Sequence, residues 1–198
     1  MFADLLAEPG VQEIVELRST VGLLAFHGGS LERMTDVIAV DAAERAGASV
    51  YAVVQPAGLR WHVRSIDVTP DASDSLRAFI EHVDVAIAVH GYGRDGMWTS
   101  LLLGGTNRAL AHHLAAHLVD ALPEYEIVRE LDAIPVELRG LHPRNPVNLP
   151  RLGGVQLELP PRVRGTTPHW ADWSGPGHPP PVAALVAALA AAVQAWPR

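Results

Sequence analysis

Three short apolar runs end at, or contain, chemistry-bearing side chains, and this repeated pattern limits the folds open to the chain more than any other feature. Leu23-Leu24-Ala25-Phe26 stops at His27-Gly28-Gly29, and Val85-Ala86-Ile87-Ala88-Val89 stops at His90-Gly91. Val155-Gln156-Leu157-Glu158-Leu159 carries an acid where a buried strand should be apolar. Runs of this length bounded by turn residues read as strands, buried on both faces where they are continuously apolar. Strands are therefore expected over Val21 to His27, Val50 to Gln55, Leu59 to Ser65, Val83 to His90, Met97 to Leu103, Glu126 to Glu130 and Gly154 to Leu159. Helices are expected between them: Arg33 to Ala46 with a stop at Gly47, Ser73 to His82 with capping signals, and Asn107 to Ala121 ahead of Pro123. Strands alternating with helices predict an α/β three-layer sandwich, a mixed, mostly parallel central sheet covered by helices on both faces. Ligands gather beyond the carboxyl ends of strands in such sheets, which is where His27 and His90 fall.

The chain of 198 residues, 48% hydrophobic and 19% charged, is long enough to bury one core and reads as a single domain over 1–198. Residues 166–181 form a Pro/Gly/Trp-rich segment, read as a loop packed on the body by its tryptophans, with a flap over the site as the alternative. Residues 182–196 form an alanine-rich terminal helix, too short to cross a bilayer, so no membrane partner is expected.

Composition removes several kinds of chemistry. Without cysteine there is no disulfide framework, thiolate metal site or cysteine nucleophile. All 15 basic residues are arginine, which excludes Schiff-base catalysis and a Walker-type phosphate loop, since both need a lysine amine. A net charge of -7 argues against nucleic acid as a partner. Met1 to Gly10 lacks the basic flank and apolar core of a secretory signal, so a cytoplasmic location is expected.

The positive reading is a metal. Imidazole nitrogen and carboxylate oxygen suit zinc, and a catalytic zinc takes three protein ligands and leaves a position for water. His27, Glu32 and His90 supply such a triad, one ion per chain, and Glu158 is placed to take a proton from the water. His62 is a candidate to line the pocket or orient a ligand, and Tyr92, just after the second histidine, offers a hydroxyl to substrate. His112, His113 and His117 read as a helix surface, because no HExxH pattern accompanies them.

These motifs occur in a telling order: His27-Gly28-Gly29-x-x-Glu32, Trp61-His62-Val63-Arg64-Ser65, Val89-His90-Gly91-Tyr92, Leu103-Gly104-Gly105-Thr106-Asn107, and Gly154 through Leu159. The series resembles the poly-gamma-glutamate hydrolase family, whose fold is similar to zinc carboxypeptidases, over Val21 to Arg164. The resemblance implies zinc ligands at His27, Glu32 and His90, a general base at Glu158, and a gamma-linked glutamyl amide as substrate. Two departures bear on substrate preference. Thr106-Asn107 stands where the family commonly has Leu-Asp, and Arg144-Asn145-Pro146-Val147-Asn148 replaces its usual Asn-Arg pair.

A polyglutamate would be repelled by the overall charge, so a local arginine cluster must attract it. Arg139, Arg144, Arg151, Arg162 and Arg164 crowd the region of the last strand, and a guanidinium matches a carboxylate bidentately. Arg144 and Arg164, which flank Asn145 and the Glu158 strand, are expected to contact substrate first, with Asn145 as a further substrate contact. Two other readings are a zinc deacylase or carboxypeptidase-like enzyme on a small N-acyl amino acid or peptide, and a non-catalytic binding protein that keeps the fold. The presence of all three ligands together with Glu158 counts against the last.

Overall fold

A computed structural model describes residues 1–170 and 173–197. Seven strands form one sheet: β1 (Gln12–Glu16), β2 (Val21–Gly29), β3 (Ser49–Gln55), β4 (Val85–Gly91), β5 (Ser100–Leu103), β6 (Glu126–Val128) and β7 (Gly154–Leu159), in the order β1-β3-β2-β4-β7-β5-β6. The central strands β3, β2, β4 and β7 run parallel to one another. β1 is antiparallel to β3 and β5 antiparallel to β7, while β6 is parallel to β5. The sheet is mixed and mostly parallel, as expected.

Alternation along the central strands sorts their side chains onto two faces. Leu23, Ala25, Ile87, Val89, Val155 and Leu157 join a large core under α2 (Thr35–Ala46), α4 (Arg108–Ala121) and α5 (Pro180–Ala195). Leu24, Phe26, Tyr51, Val53, Ala86 and Ala88 face the other way, onto the short α1 (Phe2–Leu6) and α3 (Asp74–His82). The second layer is thin, and loops rather than a helix cover the carboxyl ends of β4 and β7, where Tyr92, Leu102 and Ile134 form a small cluster of their own. That difference between the faces leaves room for a cleft.

Local signals explain the helix ends. Ser73 Oγ accepts from the Leu76 N–H at 2.9 Å and Asn107 Oδ1 from the Leu110 N–H at 2.9 Å, caps worth about 1 kcal/mol each. α2 stops at Gly47, whose φ of 65° fits the left-handed C-terminal turn.

The expected strand over Leu59 to Ser65 is irregular, with a short 3-10 turn at Ser65–Asp67. Its backbone groups are used elsewhere. The Gln55 side chain donates to the Trp61 carbonyl and accepts the Trp61 N–H, both at 2.9 Å, and the Val63 carbonyl is taken by His27. A side chain thus replaces a strand neighbour. β1 and α1 were not anticipated: β1 is largely exposed and has no apolar run, and α1 is barely longer than one turn.

In the 166–181 segment, residues 171 and 172 lie outside the described residues. The Trp170 and Trp173 rings meet edge to face at 6.1 Å, Trp173 Nε1 donates to the Gly177 carbonyl, and His178 pairs with Asp41 on α2 at 2.6 Å. Among the described residues no helix is long and apolar enough to cross a membrane.

Candidate metal centre and catalytic cleft

Three adjacent parallel strands deliver the central groups. In β4, Ala86, Ala88 and His90 follow the period-two alternation onto the second face. β7 pairs with β4 so that Glu158 stands opposite His90, and parallel neighbours in register put both side chains on one face. His27 needs a different device, since strict alternation from Ala25 would aim it at the helical core. The pairing of β2 with β3 slips between Ala25 and Gly28, and such a bulge re-aims side chains. Phe26 and His27 therefore both lie close to His90, with ring centroids 4.8 Å and 5.1 Å from its ring.

After β2 the chain doubles back. Gly29 has φ +70° and lies against the Gln55 backbone, and the Glu32 N–H donates to the His27 carbonyl at 2.9 Å, closing a tight loop. The Glu32 carboxylate is thereby returned between the two histidines. Its Oε1 lies 2.8 Å from His27 Nδ1, and its Oε2 lies 3.4 Å from His90 Nδ1 and accepts the Gly91 N–H at 2.8 Å.

The polarity of these contacts points to a cation. His27 Nε2 donates to the Val63 carbonyl at 2.7 Å; a carbonyl only accepts, so the proton of a neutral ring is fixed on Nε2. The Nδ1 lone pair then faces a carboxylate that also only accepts. Two acceptors at this separation are reconciled by a proton or a metal ion between them, and this arrangement of a histidine oriented by a backbone carbonyl is common in metal sites. Burial opposes ionisation of Glu32, but the His27 and His90 imidazoles outweigh it and hold the carboxyl well below its ordinary range. For His90, burial disfavours the charged ring, yet Glu32 and Glu158 together raise its pKa. His90 Nε2 is buried and has no hydrogen-bond partner among the described residues.

Among the described residues, the group of potential ligand atoms that all lie within 4.8 Å of one another is His27, Glu32 and His62, with His62 in the place expected for His90. His90 meets the other oxygen of Glu32, so the carboxylate is common to both histidine sets. The His62 ring lies 4.7 Å from His27, and its pKa is lowered, by burial first and then by His27. All four residues offer nitrogen or oxygen, the donor set that a borderline dication accepts.

Glu158 is buried beside this group and its carboxyl is raised. Burial is the main cause, His90 opposes it, Glu32 adds to it, and a hydrogen bond from Gln156 pulls the other way. That bond belongs to a relay: Asn145 Nδ2 donates to Gln156 Oε1 at 2.7 Å, and Gln156 Nε2 donates to Glu158 Oε1 at 2.8 Å. The Glu158 carboxyl is thus held by Gln156, and Gln156 in turn by Asn145; the sequence marks Asn145 as a substrate contact and gives Gln156 no role. The signal for Gln156 was present, a polar residue two positions from Glu158 on the same face of a buried strand.

A cleft of about 810 Å³ opens over these groups. His27, Glu32, His62, His90 and Glu158 line it together with Tyr92, Asn145, Gln156 and the 136–142 segment. The Tyr92 hydroxyl is engaged by the Ser100 carbonyl at 2.6 Å and the Met97 carbonyl at 2.9 Å, and the group is pushed up to about 12, by burial first and then by Glu158. Arg144 borders an adjoining cavity of about 720 Å³ that shares His62, Arg64 and Ile66 with the cleft. Arg64, which sequence reasoning did not single out, therefore lies where the two join. Arg164 is outside the cleft lining, packed behind Gly91 and donating to the Leu159 and Arg33 carbonyls at 3.1 and 2.8 Å. Among the described residues, none of the 166–181 segment lines the cleft.

A family model described as poly-gamma-glutamate hydrolase matches residues 5–169. The solved structure of a bacteriophage poly-gamma-glutamate hydrolase superposes with a TM-score of 0.75 at 22% identity, covering 92% of this chain and 87% of that one. The zinc-free apo form of YNDL matches with a TM-score of 0.66 at 23% identity over 78% of this chain and 73% of that one. A Burkholderia mallei protein described by inference as a carboxypeptidase matches at 0.55 and 12% identity over 98% and 67%. No curated protein matches significantly.

Proposed function

Because the chain belongs to the poly-gamma-glutamate hydrolase family, we propose that it is a zinc-dependent amide hydrolase that cleaves gamma-glutamyl amide bonds. The observation that carries the reading is the Glu32 carboxylate held between the Nδ1 atoms of His27 and His90, with Glu158 in register with His90. That a solved relative is named as a zinc-free form supports zinc as the metal.

His27, Glu32 and His90 would hold the ion, with His62 close enough to join or replace one of them. Zinc in such a site polarises a carbonyl and lowers the pKa of water to about 7. Glu158 accepts the proton of the attacking water and returns it to the leaving amine, a role that suits a carboxyl whose pKa is raised by burial. Gln156 and Asn145 hold Glu158 in one orientation throughout. His62, whose pKa is lowered by burial and then by His27, offers a ring N–H to an oxygen of the substrate. Arg64, whose Nε is held by Asp67 at 2.7 Å, presents its remaining N–H groups where the cleft meets the neighbouring cavity.

The joined cavities favour a polymer over a small acyl amino acid. A deep closed pocket would suit the small-amide reading, whereas the cleft continues past His62 and Arg64. The test is metal content of the native protein and of His90→Ala, followed by hydrolysis of poly-gamma-glutamate. One zinc per native chain, lost in the variant, with polymer cleavage is the expected result. Zinc without polymer cleavage moves the substrate to the small amide, and no metal under zinc-replete conditions overturns the hydrolase reading.

A further inference from the structure

The loop that carries Glu32 also borders a third, smaller pocket of about 240 Å³, lined by Ser30, Leu31, Arg33, Arg60, Arg164 and Thr166. Three of its six residues are arginines and none is acidic. This contrasts with the 720 Å³ cavity, where Arg64 and Arg144 share the wall with Asp67 and Asp71. Among the described residues, Arg33, Arg60 and Arg164 form no salt bridge, whereas Arg64, Arg77, Arg94 and Arg151 each pair with an acid.

Arg164 makes the pocket unusual. The residue is only 7% exposed, and burying a guanidinium is costly without compensation; the Glu32 and Glu158 carboxylates supply part of it through their charge, without a direct ion pair among the described residues. Two backbone carbonyls, Leu159 and Arg33, take Nε and one N–H of NH1. The remaining donors have no acceptor among the described residues, and the guanidinium has the pocket on one side and Gly91 on the other. Gly91 in turn donates its N–H to Glu32. Arg164 and Gly91 thus lie between the pocket and the Glu32 carboxylate. In a chain of net charge -7, a pocket lined by three arginines and no acid is a local reversal of sign, with one Arg33 N–H taken by the Thr166 carbonyl at 3.3 Å.

We infer that this pocket is an outer subsite for a carboxylate of the substrate chain, gripped by Arg33, Arg60 and Arg164 while an amide bond occupies the cleft. The inference rests on the proposed polyglutamate reading and extends it from the reacting bond to a second point of attachment. It would convert a polyanion that the whole protein repels into one that it holds at a defined distance from the bond to be cut. Fork-shaped donors suit this role, because they bind a carboxylate in one plane.

The test separates this subsite from general electrostatics and from the parent reading. Zinc-loaded protein carrying Glu158→Gln is titrated calorimetrically with poly-gamma-glutamate at low ionic strength, alone and with Arg33→Gln, Arg60→Gln or, as a charge-matched control on another surface, Arg45→Gln. Loss of one partly exposed guanidinium should weaken binding about fivefold at Arg33 or Arg60 and leave the Arg45 variant at the parental affinity. Equal weakening in all three variants, or none in any, overturns the subsite while leaving polymer cleavage by the native enzyme to speak for the parent reading. If the polymer is neither bound nor cleaved, the parent reading fails, and titration with citrate decides the subsite alone: binding that is lost in Arg60→Gln supports it, and no binding overturns it.

Discussion

Glu32 Oε1 lies 2.8 Å from His27 Nδ1 while the opposite nitrogen of the same ring is held by the Val63 carbonyl at 2.7 Å. The ring is fixed by a group that can only accept, and it faces another group that can only accept. A proton or a metal ion between them resolves the conflict; under the zinc reading, Glu32→Gln removes the charge that attracts the ion. Zinc affinity should fall by more than about 100-fold, as ligand loss exceeds the 10- to 100-fold effects typical of outer-shell partners. Competition with a chelator measures this, and the rise in Tm produced by zinc, about 2.7 kcal/mol of stabilisation at 100 times Kd, should vanish with it. A variant that still binds zinc at native strength refutes the site.

Glu158→Gln keeps the shape of the side chain and its contact with Gln156 but cannot accept a proton. Turnover should fall about 10²- to 10⁴-fold, the range for loss of a positioned base, with zinc content unchanged. Stability of the metal-free protein should move the other way. The folded carboxyl has a raised pKa, so its favourable contribution is present below the unfolded value and is lost as pH rises through the folded one. At neutral pH the variant should therefore unfold at a higher temperature than the native metal-free protein. A drop of less than tenfold in turnover would remove Glu158 from the chemistry.

The hydrogen bond from Gln156 lowers the Glu158 pKa against the rise caused by burial. The reactive form is the carboxylate, so kcat/KM should fall as pH drops through this pKa. Gln156→Leu deletes the donor and raises the pKa further, which moves the acid limb of the profile to higher pH. The bound ion acts in both proteins alike and leaves the direction of the difference unchanged. Asn145→Leu, one step further along the relay, should shift the limb in the same direction but less. An acid limb that stays in place with Gln156→Leu would show that the relay does not tune the base.

Much of this architecture was legible because it rests on apolar continuity and turn residues. The buried runs of β2, β4 and β7 name themselves, and two of them stop at the histidines that matter. What escaped depended on partners distant in sequence. Leu59 to Ser65 has the composition of a strand, yet Gln55 and His27 take up its backbone. Gln156 reads as an irregularity until the fold brings Asn145 to it. The bulge that turns His27 toward His90 leaves no trace in the hydrophobic pattern, because Phe26 is buried whichever face it takes. Arg164 was singled out for its place near the Glu158 strand, but its guanidinium packs behind Gly91, outside the cleft.

The glycine pair after His27 carries the final prediction. Gly29 has φ +70°, and a Cβ there would run into the Gln55 carbonyl and amide, which are backbone and cannot rotate away. Gly29→Ala therefore combines a left-handed conformation, about 1–2 kcal/mol for an L-residue, with a collision that the β2–β3 pairing must absorb. Gly47→Ala isolates the first of these costs. It shares a positive φ, +65°, but nothing lies within 4 Å of the added carbon. Gly47→Ala should lose about 1 kcal/mol in denaturant unfolding and keep native zinc affinity. Gly29→Ala should lose more than about 2 kcal/mol and bind zinc more weakly, because the loop it strains returns Glu32 to the histidines through the bond from the Glu32 N–H to the His27 carbonyl. If both variants behaved alike in stability and in zinc binding, the close approach of Gly29 to β3 would have no part in placing the carboxylate.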